Sequence, residues 1–262
     1  MNLIDTHCHL TFEPLAGDVP GVIERSRAAG VTRWITVGTS LEDSRAAIEL
    51  AGHYEGMYAT VGIHPHEAKS ADAAALDGLK WLGRSGKVVA VGETGLDFHH
   101  NFSKQPDQKR VFIAHLEIAR ELNLPIIVHS RNAFDETVEI LDRDGGGLKG
   151  VVFHCFSGSA QQAKSLLDMG YHMSFTGVVT FKNAQATRDA ARAVPLDRLM
   201  VETDCPYMSP EPVRSQKPNE PALMVHTAQC LADIKGVKMD NLAEATTQTA
   251  VTFFGLAAVT SP

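Results

Sequence analysis

The fold class predicted by this sequence is α/β: a single (β/α)8 TIM barrel with an extra C-terminal helix. Three observations carry that expectation: eight short apolar or β-branched runs, helical patterns between them, and a length of 262 residues. Typical domains hold ~100–200 residues, but α/β barrels reach ~250 in one piece. One barrel domain over residues 1–262 is therefore expected.

The runs are Leu3–Thr6, Thr32–Val37, Tyr58–Ile63, Val88–Val91, Pro125–Val128, Gly150–Phe153, Tyr171–Phe175 and Leu199–Val201, and their starts lie 21 to 37 residues apart. That is close to the length of a βα unit, roughly 30 residues. Between them fall patterns of helical period. Val22, Ile23, Ala28 and Ala29 lead into Gly30, and Leu41 to Ala51 ends at Gly52. Gln108 to Leu122 carries Val111, Ile113, Leu116, Ile118 and Ala119 before Pro125. Ser159 to Met169 is headed by a serine and closed by Gly170, and Ala222 to Ile234 ends near Gly236. A small polar residue before a helix and a glycine after it are boundary signals. Met239 to Phe254 reads as the extra helix. An open doubly wound sheet is the alternative, but it usually carries a glycine-rich turn after its first strand. Here that strand ends in His7-Cys8-His9.

Composition is ordinary, with 44% hydrophobic and 21% charged residues, and such a chain can bury a sizeable core unaided. The formal net charge of −7 and pI near 5.9 argue against a broad basic surface gripping duplex DNA. They leave room for a small metal-centred site acting on a phosphate. The N-terminus has no basic start and no apolar signal core, and no window approaches a membrane span. The cysteines Cys8, Cys155, Cys205 and Cys230 show no paired spacing. Reduced thiols in a cytoplasmic, membrane-free monomer are expected. Cys8 and Cys155 each follow a candidate metal ligand, and on a strand that points them to the layer behind it.

The candidate ligands all fall at predicted strand ends. His7 and His9 close the first strand, His64 follows the third, and Glu93 the fourth. His129 follows the fifth, His154 the sixth, and Glu202 and Asp204 the eighth. In a barrel those ends form one ring, where catalytic groups collect. A lone histidine beside a strand is ordinarily a half-buried side chain with a backbone partner. His53, His66, His99, His100, His115, His172 and His226 keep that reading. Glu93 alone reads as a loop carboxylate, and Asp204 before Cys-Pro as a turn former. Chance does not place four histidines and two carboxylates at one end of one barrel. The spacing of two in His7-Cys8-His9 puts both imidazoles on one face, close enough to chelate an ion. The donor set suits Zn²⁺ or Mn²⁺, or Mg²⁺ where carboxylates and water dominate. There are more donors than one tetrahedral ion uses, so two divalent ions are expected.

These motifs resemble the TatD-type metal-dependent hydrolases, a nuclease branch of the amidohydrolase-like barrels. The match runs from Leu3-Ile4-Asp5-Thr6-His7-Cys8-His9, through Gly62-Ile63-His64-Pro65-His66 and Gly92-Glu93-Thr94-Gly95-Leu96-Asp97, to Asn219-Glu220-Pro221. Between them lie Pro125-Ile126-Ile127-Val128-His129-Ser130-Arg131, His154-Cys155-Phe156-Ser157-Gly158 and Glu202-Thr203-Asp204-Cys205-Pro206. The resemblance implies that His7, His9 and Asp204 bind the first metal, Glu93 bridges both, and His129 and His154 bind the second. It makes Asp204 and Glu93 the catalytic pair and places His64 and Glu202 near the substrate. The chain departs from the family pattern at Thr11, Asn132 and Ser215.

The implied chemistry is metal-assisted hydrolysis, with Asp204 orienting the attacking water and taking its proton. Arg131, Arg214 and Lys217 share the loop face and could hold flanking phosphates, or be solvated cations. Phe98, Phe156 and Tyr207 could stack on a base, but packing the loops is their ordinary role. The substrate the resemblance implies is an end of single-stranded DNA or RNA, trimmed from the 3′ side. An ester or amide hydrolase, such as a D-aminoacyl-tRNA deacylase, is the second reading, because the same ligands serve acyl and phosphoryl centres. A non-catalytic metal-binding scaffold is the third, and the complete ligand set with Asp204 argues against it.

Overall fold

The structure is a computed structural model and describes residues 2–257. The strands are β1 (Leu3–Cys8), β2 (Val31–Thr36), β3 (Met57–Val61), β4 (Val88–Asp97), β5 (Ile126–Arg131), β6 (Val151–Phe153), β7 (His172–Phe175) and β8 (Leu199–Val201). They form one sheet in the order β1 to β8. The helices are α1 (Val19–Ala28), α2 (Leu41–His53), α3 (Ala73–Leu82), α4 (Gln105–Leu122), α5 (Phe134–Asp144), α6 (Ala160–Asp168), α7 (Gln185–Ala193), α8 (Met224–Lys235) and α9 (Met239–Phe254). A helix follows each strand, and α9 is the extra one. The fold class is (β/α)8, as the sequence predicts.

The boundaries follow local chemistry. Ser40 and Asp72 cap α2 and α3 by accepting the N–H of Asp43 and Ala75. Ser159 opens α6 with a reciprocal capping box to Gln162. Gly236 and Gly255 end α8 and α9 in the left-handed conformation. The helix over 41–51 runs on through Gly52 to His53, because Gly52 does not take the left-handed conformation with which a glycine ends a helix.

The largest departure from the sequence reading is β4. It runs ten residues, six beyond its predicted end, so Glu93 lies within the strand rather than after it. His129 likewise lies inside β5. Gly92 and Gly95 make this possible, with φ of 133° and 135°. A Cβ on Gly92 would lie 2.6 Å from the Ile127 carbonyl oxygen, and one on Gly95 would collide with that of His129. Only glycine lets β4 lie this close to β5 at a positive φ.

The chain divides into two compact units, one of residues 37–153 and one of the residues on either side of it. In the split unit, β1 pairs in parallel with β2, and β7 with β8. Trp34 is fully buried there and donates its indole N–H to Ser26 at 2.8 Å. In the continuous unit, β3, β4, β5 and β6 pair in parallel over a core that includes Met57, Leu79, Phe112 and Leu116. Each unit carries its own group of histidines and carboxylates. Among the described residues no helix is long and apolar enough to cross a membrane.

Candidate metal centre

In the split unit, His7 lies on β1 and His9 one residue past its end, and the two-residue spacing still puts both rings on one side. His7 and His9 bring their Nε2 atoms to 3.3 Å. Asp204 turns its Oδ1 to both, 3.3 Å from His9 Nε2 and 3.8 Å from His7 Nε2. Backbone bonds hold it there. Asp204 donates its N–H to the His7 carbonyl at 2.9 Å, and His9 donates to the Cys205 carbonyl at 2.9 Å. Asp204 has φ 53°, a left-handed conformation that aspartate tolerates better than most residues. Burial pushes its carboxyl up, but the hydrogen bond from His9 and the neighbouring charge of His7, His154 and His9 outweigh it. The net shift is downward, toward the carboxylate.

Two further carboxylates brace this group. Asp5 is fully buried and accepts the Thr203 hydroxyl at 2.6 Å, the Thr203 N–H at 3.0 Å and the His7 N–H at 3.3 Å. Burial pushes its carboxyl up to about 7, against the pull of those donors. Glu202 accepts the Cys155 N–H at 2.6 Å and the Ser174 hydroxyl at 2.5 Å, and lies 3.6 Å from His154 Nδ1. His154 stacks on His7 with ring centroids 4.0 Å apart and planes within 9°. The Asn-Glu-Pro motif is a clamp. Asn219 donates its amide N–H groups to the Thr203 and Tyr207 carbonyls, and Glu220 pairs with Arg25 at 2.8 Å.

The donor set fits a divalent ion. Ligands ~2.0–2.1 Å from a tetrahedral centre stand about 3.3 Å from one another. The His7–His9 and His9–Asp204 separations match that edge, and the donors are two imidazoles and a carboxylate shut away from solvent.

In the continuous unit, Glu93 Oε1 lies 2.8 Å from His129 Nδ1 and 3.4 Å from His64 Nε2, and the three form a second group able to hold a metal. His64 Nδ1 accepts the His66 N–H at 3.2 Å, so in the neutral ring the proton sits on Nε2, facing Glu93. Burial holds the His64 imidazole down to about 4, against the attraction of Glu93. His64 therefore stands beside the carboxylate as a neutral donor. Glu202 is buried with both oxygens engaged, so it holds the turn after β6 in place.

The sequence reading assigns no role to Asp97, the last residue of β4. It is fully buried and faces three imidazoles. Its Oδ2 lies 2.8 Å from His66 Nε2, 2.8 Å from His100 Nδ1 and 3.4 Å from His129 Nε2. Burial pushes the carboxyl up, but hydrogen bonds from His129, His100 and His66 hold it well below the usual range. Glu93 and Asp97 thus face the two nitrogens of His129: with Nε2 donating its N–H to Asp97, the lone pair of Nδ1 is left beside Glu93, where the two can share a metal. His66 and His100 do not keep their expected backbone-partner reading, because their ring nitrogens face Asp97. His115 does keep it, with Nδ1 on the Val111 carbonyl and Nε2 accepting the Ile63 N–H.

Among the outer residues, Arg131 and Arg214 are exposed, and Arg214 stands over Phe181 with its guanidinium carbon 3.5 Å from the ring centroid. Phe156 is buried against Phe175, while Tyr207 is exposed. Cys155 lies beyond β6 with φ 44°, so the strand argument for it fails. Its Sγ sits beside Thr176 and Met208. Cys8 is buried and donates to the Ile35 carbonyl, as a residue of the layer behind the site does. Asn132 adopts a left-handed φ of 53° before α5, a position asparagine suits.

A fold of this class with clustered histidines and carboxylates defines a metal-dependent hydrolase. The family model described as TatD related DNase matches residues 4–255. YabD of Bacillus subtilis (strain 168), an uncharacterized metal-dependent hydrolase, is 39% identical over 96% of this chain and 98% of its own length. The 3′-5′ ssDNA/RNA exonuclease TatD of Klebsiella pneumoniae (strain 342) is 35% identical over 97% of this chain and 98% of its own. The crystal structure of YJJV, a TatD homolog from Escherichia coli K12, superposes with a TM-score of 0.90 at 33% identity, covering 97% of this chain and 98% of that one. The chain belongs to the TatD family of metal-dependent hydrolases.

Proposed function

We propose that this protein is a cytoplasmic, monomeric 3′-5′ exonuclease that hydrolyses phosphodiester bonds at the ends of single-stranded DNA or RNA. The observation that carries the reading is the convergence of His7, His9 and Asp204 at ion-sharing distances. The relatives named as 3′-5′ ssDNA/RNA exonucleases supply the substrate class. Two divalent ions, Mg²⁺, Mn²⁺ or Zn²⁺, would be held by His7, His9, Asp204, Glu93, His129 and His154. Bound there, such ions acidify water and offset charge that develops on the phosphoryl group.

The protein's own residues do the rest. Asp204 accepts the proton of the attacking water, and its downward shift keeps it ionised for that task. Asp97 accepts the N–H of His129 Nε2, which orients the ring and leaves Nδ1, beside Glu93, for the ion. His64 offers a neutral N–H beside Glu93. Arg131 and Arg214 meet phosphates on either side of the scissile bond, and Glu202 acts by fixing the turn after His154.

The test is to strip the protein with a chelator and restore Mg²⁺, Mn²⁺ or Zn²⁺ separately. Each form is assayed on 3′- and 5′-labelled single-stranded DNA beside Asp204→Asn. A metal-dependent ladder that shortens from the 3′ end and is absent in the variant is expected. No cleavage with any ion, despite bound metal, overturns the nuclease reading. An ester substrate such as D-aminoacyl-tRNA is then the next to test.

A further inference from the structure

A second group of donors lies in the continuous unit beside Glu93 and His129. His66 Nε2, Asp97 Oδ2 and His100 Nδ1 all lie within 4.8 Å of one another. Asp97 is anchored from behind, because its Oδ1 accepts the backbone N–H of His99 and His100, each at 2.9 Å. That leaves Oδ2 to face three ring nitrogens. A carboxylate oxygen offers two lone pairs, so three imidazole N–H donors exceed what it accepts well. The rings of His66 and His100 are partly open to solvent, with side-chain exposures of 25% and 36%. Phe102 closes one side, its centroid 4.7 Å from His66 and 5.4 Å from His100.

We propose that His66, Asp97 and His100 form an additional site for a divalent transition metal of the Zn²⁺ class, separate from the ions proposed for hydrolysis. Two imidazole nitrogens and one carboxylate oxygen are donors that favour Zn²⁺, Co²⁺ or Ni²⁺ over Mg²⁺. On binding, each ring moves its proton to the nitrogen facing away from Asp97, and the freed lone pair takes the metal. Three protein donors leave the remaining position to water or a phosphate oxygen, on the solvent side. The half-open setting makes this the weakest-held ion of the protein.

The experiment counts ions rather than activity, so its outcome is independent of whether the protein cleaves nucleic acid. Chelator-stripped wild type and His100→Ala are titrated with Zn²⁺ and read by native mass spectrometry at graded free metal. Wild type is expected to bind one ion more than the variant, and that ion is the last to load. In a second arm, His100→Cys is loaded with Co²⁺. It is expected to show a thiolate-to-cobalt charge-transfer band that cobalt-loaded wild type lacks. Equal ion counts with equal affinity for the last ion in wild type and His100→Ala overturn the site. So does a cobalt-loaded His100→Cys without the band.

Discussion

In the split unit, the imidazoles of His7, His9 and His154 are shut away from solvent between two carboxylates on one loop, Asp204 and Glu202. In the continuous unit, two carboxylates stand on one strand, and His129 lies between them while His64, His66 and His100 are partly open. The difference is one of support. Asp204 is fixed by backbone bonds that tie its loop to β1, with Asp5 and Asn219 holding the same loop from below. Glu93 and Asp97 are fixed by the path of β4 itself. The closed group is held by its neighbours on several sides, and the open group by the one strand that carries it.

The comparison breaks first at Asp204. Asp204→Asn keeps the shape but removes the proton acceptor, and turnover on labelled single-stranded DNA is expected to fall about 10⁴-fold with an unchanged circular dichroism spectrum. Near wild-type turnover would falsify the role given to this carboxylate. Glu93→Gln tests the open group in the same assay. A loss of about 10³-fold is expected, and it should be accompanied by weaker metal retention on dialysis.

A pH experiment separates the scaffolds. His115 supports the chain just before His64, and burial holds its imidazole down to about 4, against 6.5 when unfolded. The folded protein needs the neutral ring, so its contribution is complete above pH 6.5. It is lost as the pH falls toward 4, where the unfolded chain takes up the proton first. His115's share of the stability lost across that window is about 3 kcal/mol, beside the shares of His64 and His172, which burial also holds down to about 4. In urea unfolding His115→Gln should make the dependence shallower by that share, and an unchanged slope in the variant would remove His115 from the explanation. Asp97→Asn sharpens the open side of the comparison. Loss of its grip on His129 should lower metal affinity or activity about 10–100-fold, with kcat rather than KM carrying the change. The smallest effect is expected at the rim. Arg214→Ala should raise KM about threefold to tenfold with kcat intact, and a fall in kcat of equal size would place Arg214 nearer the reacting atoms.

Much of this was legible in the chain, and unevenly so. The His-x-His spacing on β1 led straight to a shared face, because alternation on a strand is a geometric certainty. The ends of β4 and β5 were not legible, because a run such as Val88–Val91 followed by Gly92 reads as a strand stopping. The positive φ values of Gly92 and Gly95 carry β4 onward. Helices α3, α5 and α7 have no named place in the sequence reading, though the alternation implies them. Asp97 sat in plain view at the end of its motif. Its role depends on His66 and His100, which are distant or unremarkable in sequence and meet it only in the fold.

The two glycines of β4 have a consequence for anyone who would redesign this protein. A side chain at either position collides with β5 backbone, so the stretch that carries Glu93 has no spare room for variation. A library that randomises residues 92 to 95 should return almost nothing but the parent at the glycines. New substrate preferences must be sought at the strand ends and in the loops beyond them, where Arg131, Asn132 and Arg214 stand exposed.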